Sequence, residues 1–166
     1  MQGGLVRPAF AVLSAGILEG TVNTETEKDR FMSENTKNPA VEKFLPVCKA
    51  DMLARGWRDV DFVLVTGDAY VDHPSFGAAI ISRLLEAEGY RVGVLSQPDF
   101  TTCESMKEFG RPRYGFFIGG GNVDSMVAHY SVAKIRRAQD EYTPGGAAGK
   151  RPDRSATVYT QLAKQA

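Results

Sequence analysis

The sequence predicts an α/β fold in which a parallel sheet is packed between helices, and three observations support this class. Short strand-like runs occur at residues 61–66, 91–96 and 113–120, and the first is apolar and β-branched, as is typical of strands buried in a parallel sheet. Segments with apolar residues at helical spacing separate these runs. Strands and helices alternate at the lengths of βαβ units, whose crossovers are right-handed. Three strands make a small sheet, so we expect an incomplete α/β unit with an edge that a further strand would normally cover.

The predicted helices are recognised by apolar spacing and by the glycines that end two of them. A helix within residues 49–57 ends at Gly56, and one within residues 75–89 ends at Gly89, both typical C-terminal stops. In the second helix, Phe76, Ile80, Leu84 and Leu85 recur on one face, which is expected to pack inward.

The second half of the chain is predicted to contain three more helices. Residues 101–110 form a short helix with Met106 and Phe109 directed inward. Residues 121–142 are predicted to be helical, with Met126, Tyr130 and Ile135 as inward positions, and residues 156–166 begin a last helix. The Gly/Pro-rich basic stretch at residues 143–155 is predicted to be a loop, flexible at residues 145–151.

Composition excludes several classes of protein. The 166 residues include 20 basic and 20 acidic side chains, and this balance argues against nucleic acid or an anionic membrane as the main partner. The sequence contains no apolar run long enough for a transmembrane helix. Cys48 and Cys103 lie far apart and are expected to be free thiols in a reducing cytosol. We therefore expect a cytoplasmic protein.

Residues 1–43 differ from the rest of the chain because they combine a mildly apolar start with a polar stretch rich in Thr, Glu, Asn and Lys. They do not match the pattern of a secretory signal. Met32 would itself make a plausible protein start. We expect a disordered extension or a misjudged start codon, with the folded domain at residues 44–166.

The stretch LVTGDAYVDHPSFG, residues 64–77, follows the first predicted strand. In open parallel sheets, ligands bind outside the carboxyl ends of the strands, so this loop is suitably located for a cofactor or substrate. Its candidate ligand-facing residues are Asp68, Tyr70, Asp72 and His73. The structural alternative is that Asp72 or Ser75 caps the following helix and that Pro74 occupies its first turn. An independent metal site has less support.

A second candidate loop follows the third predicted strand. It contains Gly119, Gly120, Gly121 and Asn122. Glycines there let the backbone approach a phosphate or another domain, and a helix N-terminus favours anions. The alternative is a tight turn between a strand and a helix.

Several familiar motifs are absent. GGAAGKR at residues 145–151 has the wrong spacing for a phosphate-binding loop, and Arg151 occupies the position of the Ser or Thr that binds magnesium. The GGGN run lacks the dinucleotide-binding pattern, and no G-x-S-x-G elbow is present. The D-x-H-x-x-G signature of cobalamin-binding domains is also not met, because His73 follows Asp72 directly.

Longer stretches together resemble the N-terminal region of the YgiQ-like radical SAM proteins. They are FLP (44–46), GW (56–57), VTGDAYVDHPSFG (65–77), LEAEGYRVG (85–93), QPD (97–99), GNVDSM (121–126), YTP (142–144), AGKRPDR (148–154) and YTQ (159–161). The resemblance implies a three-layer, flavodoxin-like or Rossmann-like accessory domain over residues 44–166. It also implies that a radical SAM barrel, normally in the same polypeptide, is the missing partner.

The resemblance implies cofactors that this chain does not hold by itself. The family's barrel has a C-x-x-x-C-x-x-C motif for a [4Fe–4S] cluster, whose open iron holds S-adenosylmethionine. This sequence lacks the motif and has only two cysteines, so we assign no catalytic or metal-binding residue to it. The first hypothesis is thus a non-catalytic domain of a radical SAM enzyme that acts on an unknown small molecule. The alternative is a stand-alone module that binds a nucleotide-like ligand or a protein.

Overall fold

A computed structural model describes residues 44–166 of the chain. The proposed extension at residues 1–43 lies outside the described residues. The secondary-structure elements, in chain order, are α1 (Lys49–Ala54), β1 (Phe62–Thr66), α2 (Gly77–Ala87), β2 (Val92–Ser96), a 3-10 helix (Glu104–Lys107), β3 (Gly115–Gly119), α3 (Ser125–His129), a second 3-10 helix (Pro144–Gly146) and α4 (Ser155–Gln165). Among these residues there is no helix long and apolar enough to cross a bilayer.

The three strands form one parallel sheet in the order β2-β1-β3. Phe62 is level with both Val92 and Gly115, and Thr66 is level with Ser96 and Gly119. The strands therefore start and end together, and their carboxyl ends meet at one edge. The predicted α/β class with an open parallel sheet is confirmed, and the strand order agrees with the flavodoxin-like arrangement.

Apolar side chains cover both faces of the sheet, which gives the three predicted layers. On one face, Val63 and Val65 join Tyr159 and Leu162 of α4. On the opposite face, Leu64 packs beside α2, in a cluster with Val92, Val94, Ala78 and Leu85. The alternation follows from the two-residue period of a strand.

Helix α2 faces the sheet with small side chains. Ala79 and Ser82 are its buried residues, whereas Ile80 and Leu84 are 44% and 62% exposed. The expectation that Ile80 and Leu84 pack inward is therefore wrong. The helix rests on the sheet through these short side chains and Leu85, whereas Ile80, Ile81 and Leu84 remain on the surface.

The second half of the chain is less helical than predicted. Residues 101–110 contain only the 3-10 helix, although Met106 and Phe109 are buried as expected. Of residues 121–142, only Ser125–His129 is α-helical, and Met126 and Ile135 are exposed. Lys134 has a left-handed backbone, with φ of 60°, in a turn that reverses the chain, so helical geometry cannot continue through it.

Candidate functional site

The loops that follow β1 and β3 contact each other directly at the carboxyl edge of the sheet. A Cβ atom on Gly67 would lie 2.6 Å from the carbonyl oxygen of Gly120. Gly121 has φ of +101°, and a Cβ there would lie 2.2 Å from Oδ1 of Asp68. The two glycines are therefore needed for close contact between the loops. Asn122 strengthens this contact, because its backbone N–H donates to Oδ2 of Asp68 at 2.5 Å.

A completely buried arginine, Arg151, connects this contact to the C-terminal part of the domain. Its Nη1 donates to Oδ1 of Asp68 at 2.7 Å. Its Nε and Nη2 donate to the two carboxylate oxygens of Asp140, both at 2.8 Å. This bidentate pairing matches the planar geometry of the guanidinium group. The prediction of a flexible basic loop at residues 145–151 is wrong at Arg151, which is 0% exposed.

The two carboxylates in this network have opposite pKa shifts. Burial raises the pKa of Asp68, and the hydrogen bonds and positive charge that favour its ionised form only partly offset this effect. Burial also acts to raise the pKa of Asp140, but hydrogen bonds from Arg151 and the Tyr142 backbone outweigh it, so that pKa is lowered. Asp68 is consequently the carboxylate of this pair that takes up a proton first.

A histidine and a tyrosine extend the network on the far side of Asp140. His129 is 3% exposed; its Nδ1 lies 2.5 Å from Oδ1 of Asp153, and its Nε2 lies 3.9 Å from Oδ2 of Asp140. The hydroxyl of Tyr130 donates to the other Asp153 oxygen at 2.8 Å. The hydrogen bond with His129 is the largest influence on Asp153, whose pKa is lowered.

Sequence reasoning did not identify this network. Arg151 and Asp153 belong to the AGKRPDR stretch, whose arginine and aspartate side chains were the available signal. Asp140 and His129 lie in a stretch that was predicted to be helical, where nothing distinguishes them from surface residues. They join the network only after the chain has folded.

The four candidates in the loop after β1 do not converge. Asp68 points inward to Arg151, whereas Asp72 accepts hydrogen bonds from Nε of Arg83 on α2 at 3.2 and 3.1 Å. Hydrogen bonding to Arg83 lowers the pKa of Asp72. Burial raises the pKa of Tyr70 to about 12, and the charge of Asp72 adds to the effect. His73 is exposed.

The expected capping of α2 is wrong in its details. The residue that precedes the helix is Phe76, and no side chain caps it. Asp72 instead pairs with Arg83, and the backbone N–H of Ser75 donates to Nδ1 of His73 at 3.1 Å. Pro74 lies before the first turn, because the helix begins at Gly77. Thus a turn at His73 and an ion pair at Asp72 hold the start of the helix.

A pocket of about 790 Å³ opens beside this loop, above the ends of β1 and β2. Tyr70, Asp72, Gln97 and Lys150 contribute to its wall. Gln97 has a left-handed backbone, with φ of 45°, and its side chain donates to Gly67 O at 3.0 Å and to Thr143 Oγ1 at 2.6 Å. The wall of this pocket contains a carboxylate, a lysine and a tyrosine, so the pocket is one candidate for a ligand site among the described residues.

The remaining candidates form the loop after β3. Gly119 ends the strand, and the carbonyl oxygen of Gly120 accepts a hydrogen bond from Oγ of Ser155 at 3.1 Å. The Asn122 side chain donates to Ser75 O at 3.3 Å. These groups, together with Gly121, hold the loops together. A ligand-facing role for this loop, and for the loop after β1, stays a prediction.

The residues present do not fit an iron–sulfur cluster. The chain has two cysteines, fewer than the thiolates that usually bind [4Fe–4S]. Both Cys48 and Cys103 are free. Within residues 44–166 there is also no group of three or more His, Cys, Asp or Glu side chains arranged to hold a metal ion.

Comparison with known proteins identifies the relatives of this open α/β domain. A family model described as "Radical SAM N-terminal" matches residues 44–166. A "UPF0313 protein" of Clostridium perfringens is 56% identical over 135 residues, covering 81% of this chain and 19% of the relative. A "UPF0313 protein" of Thermotoga petrophila is 53% identical over 122 residues, covering 74% of this chain and 22% of the relative. No solved structure matches the chain.

The fold and its carboxyl edge define an open, flavodoxin-like α/β domain in which the loops after β1 and β3 contact each other. The chain belongs to the radical SAM N-terminal family, and the resemblance to the N-terminal region of YgiQ-like proteins is confirmed. The aligned segment spans about a fifth of the length of these curated relatives.

Proposed function

We propose that residues 44–166 form a non-catalytic accessory domain of a longer radical SAM enzyme. The observation that carries this proposal is the combination of 56% identity with coverage of only 19% of the relative. The cysteine content of the chain agrees with this proposal, since two free cysteines cannot supply the usual ligands of a [4Fe–4S] cluster. In the full-length protein, the cluster and S-adenosylmethionine would be held by another part of the polypeptide, in the cytoplasm.

The accessory domain would contribute its carboxyl edge to the active site. The pocket beside Tyr70, Asp72 and Lys150 lies where open α/β sheets bind ligands. We propose that it faces a small-molecule substrate or cofactor shared with the barrel. The buried Arg151 network would keep the loops after β1 and β3 in place, so that this edge is rigid when the ligand arrives.

Reconstitution tests the accessory role. The matched segment of the C. perfringens relative is replaced by this chain, and the fusion and the isolated chain are both treated anaerobically with iron and sulfide. With S-adenosylmethionine added and dithionite as the electron donor, we expect cluster absorbance and release of 5′-deoxyadenosine in the fusion only. One stoichiometric cluster per isolated chain would overturn the proposal. An immunoblot of source cells with antibody against residues 44–142 supplies a second test: a band only at the size of 166 residues would favour the stand-alone binding module.

Matched substitutions in the fusion test the proposed ligand edge. Asp72→Asn and His73→Ala alter the loop beside the pocket, whereas Glu141→Gln alters an exposed carboxylate outside it. We expect either loop variant to lower the rate of 5′-deoxyadenosine formation by about tenfold or more, with the control unchanged. If both loop variants form 5′-deoxyadenosine at the unchanged rate, the loop has a structural role only.

A further inference from the structure

Strand β3 is an unprotected edge among residues 44–166, since it pairs only with β1. Its sequence, GFFIG, contains no charged residue and no proline. An edge strand exposes unpaired backbone N–H and C=O groups, and proteins normally protect such edges with charges, prolines, bulges or a covering element. The absence of these protections indicates that another segment covers β3 in the whole protein.

A groove of about 910 Å³ runs along this edge and reaches both faces of the sheet. On one face, α2 contributes Ala78 and Ile81; on the other, α4 contributes Ala156, Thr160 and Ala163. Phe116, Phe117 and Ile118 of β3 line the groove and are only partly buried. An occupant that pairs with the backbone edge of β3 would present apolar side chains to both faces, as a central strand does.

The path of the chain indicates the direction of this occupant. Helix α4 follows β3 and packs on it, and its end at Ala166 lines the groove together with Arg113 and Tyr114, which immediately precede β3. A strand that follows α4 would consequently begin beside the start of β3 and run parallel to it. Right-handed crossovers of this type are the rule in parallel sheets.

We propose that the open edge of β3 binds a fourth, parallel strand from the segment that follows α4 in the longer polypeptide. This inference rests on the proposed function in one respect, namely that the domain belongs to a longer protein; the relatives extend far beyond the matched fifth of their length. The strand is short, rich in Val and Ile, apolar on both faces, and free of proline and charge. It extends the sheet to the order β2-β1-β3-β4.

Amide hydrogen exchange, measured by mass spectrometry on the 166-residue chain and on the C. perfringens fusion, tests the proposal without any cluster, cosubstrate or activity. We expect the β3 amides to exchange about 100-fold more slowly in the fusion than in the chain, while β1 amides change much less. Equal exchange of β3 in both proteins would overturn the proposal. Strong protection of β3 in the chain alone would also overturn it, because residues 1–43 or a second copy would then cover the edge.

Two neighbouring isoleucines provide a matched control for the location of the strand. Ile80 and Ile81 are both 44% exposed on α2, but only Ile81 lines the groove. In the fusion, Ile81→Lys is expected to restore about tenfold faster exchange of β3, and Ile80→Lys to leave it unchanged. Equal effects of the two substitutions would contradict a strand in this groove. Loss of cluster chemistry with intact β3 protection would refute the proposed function and leave this inference standing.

Discussion

Replacement of Arg151 by methionine removes the cation that the two buried carboxylates share. Methionine keeps much of the side-chain length without its charge. Asp68 and Asp140 then lie buried with no guanidinium partner, at side-chain exposures of 4% and 1%. We expect Arg151→Met to be the most destabilising arginine substitution in the domain, because it leaves uncompensated charge in the interior.

The magnitude follows from three charge-assisted hydrogen bonds of 2.7 to 2.8 Å. At about 1.5–3 kcal/mol each, they set an upper limit of roughly 4.5–9 kcal/mol. Removing one partner of a buried ion pair costs about 3–5 kcal/mol, since desolvation offsets part of the gross attraction. We take about 3–5 kcal/mol as the expected loss, a large fraction of the stability of an ordinary domain.

Urea denaturation at neutral pH measures the free energy of unfolding, with Arg58→Met as the matched control. Arg58 is exposed, so its substitution should change stability by less than about 0.5 kcal/mol. The combined variant Arg151→Met, Asp140→Asn should recover part of the loss, because one unpaired carboxylate is removed. A loss below about 1 kcal/mol for Arg151→Met would refute the reasoning. If the variant does not fold at neutral pH, mild acid should restore folding by neutralising the carboxylates.

Three further predictions concern the same interior. Gly121→Ala should destabilise the domain by about 1–3 kcal/mol in urea denaturation because of its positive φ and its clash, whereas Gly77→Ala, with nothing within 4 Å, should be nearly neutral. The lowered pKa values of Asp140 and Asp153 stabilise the fold above the ordinary carboxyl pKa of 3.8; denaturation followed against pH should show this contribution disappear as pH falls below that value. Tyr159 is 0% exposed and its hydroxyl has no hydrogen-bond partner among residues 44–166, so Tyr159→Phe should raise the midpoint of thermal unfolding or leave it unchanged; a clear decrease would reveal a missed partner.

Local sequence patterns were sufficient where local forces decide the structure. The three strands were predicted to within two residues at each end, because short apolar runs bounded by turn residues are typical of buried strands. Gly56 and Gly89 were expected to end helices, and both have positive φ, at 76° and 87°. The family assignment also came from the sequence. Long stretches such as AGKRPDR can be recognised by their residues and by their order along the chain, without knowledge of their contacts in the fold.

Local sequence patterns failed where contacts between residues distant in sequence decide the structure. Ile80 and Leu84 have helical spacing and still lie on the surface of the described domain, because periodicity identifies an apolar face without identifying what covers it. The stretch after residue 129 has helical composition, but a left-handed turn at Lys134 interrupts it.

The sequence by itself determined the class of fold, the strands, and the family of this protein. Only the tertiary structure decided that Asp68 belongs to the interior and Asp72 to the surface, although they are only four positions apart in one loop. Asp68 is held by Arg151, which lies 83 positions along the chain. The energy of a buried charge depends on the partners that folding brings within hydrogen-bond distance, and those partners are not adjacent in sequence.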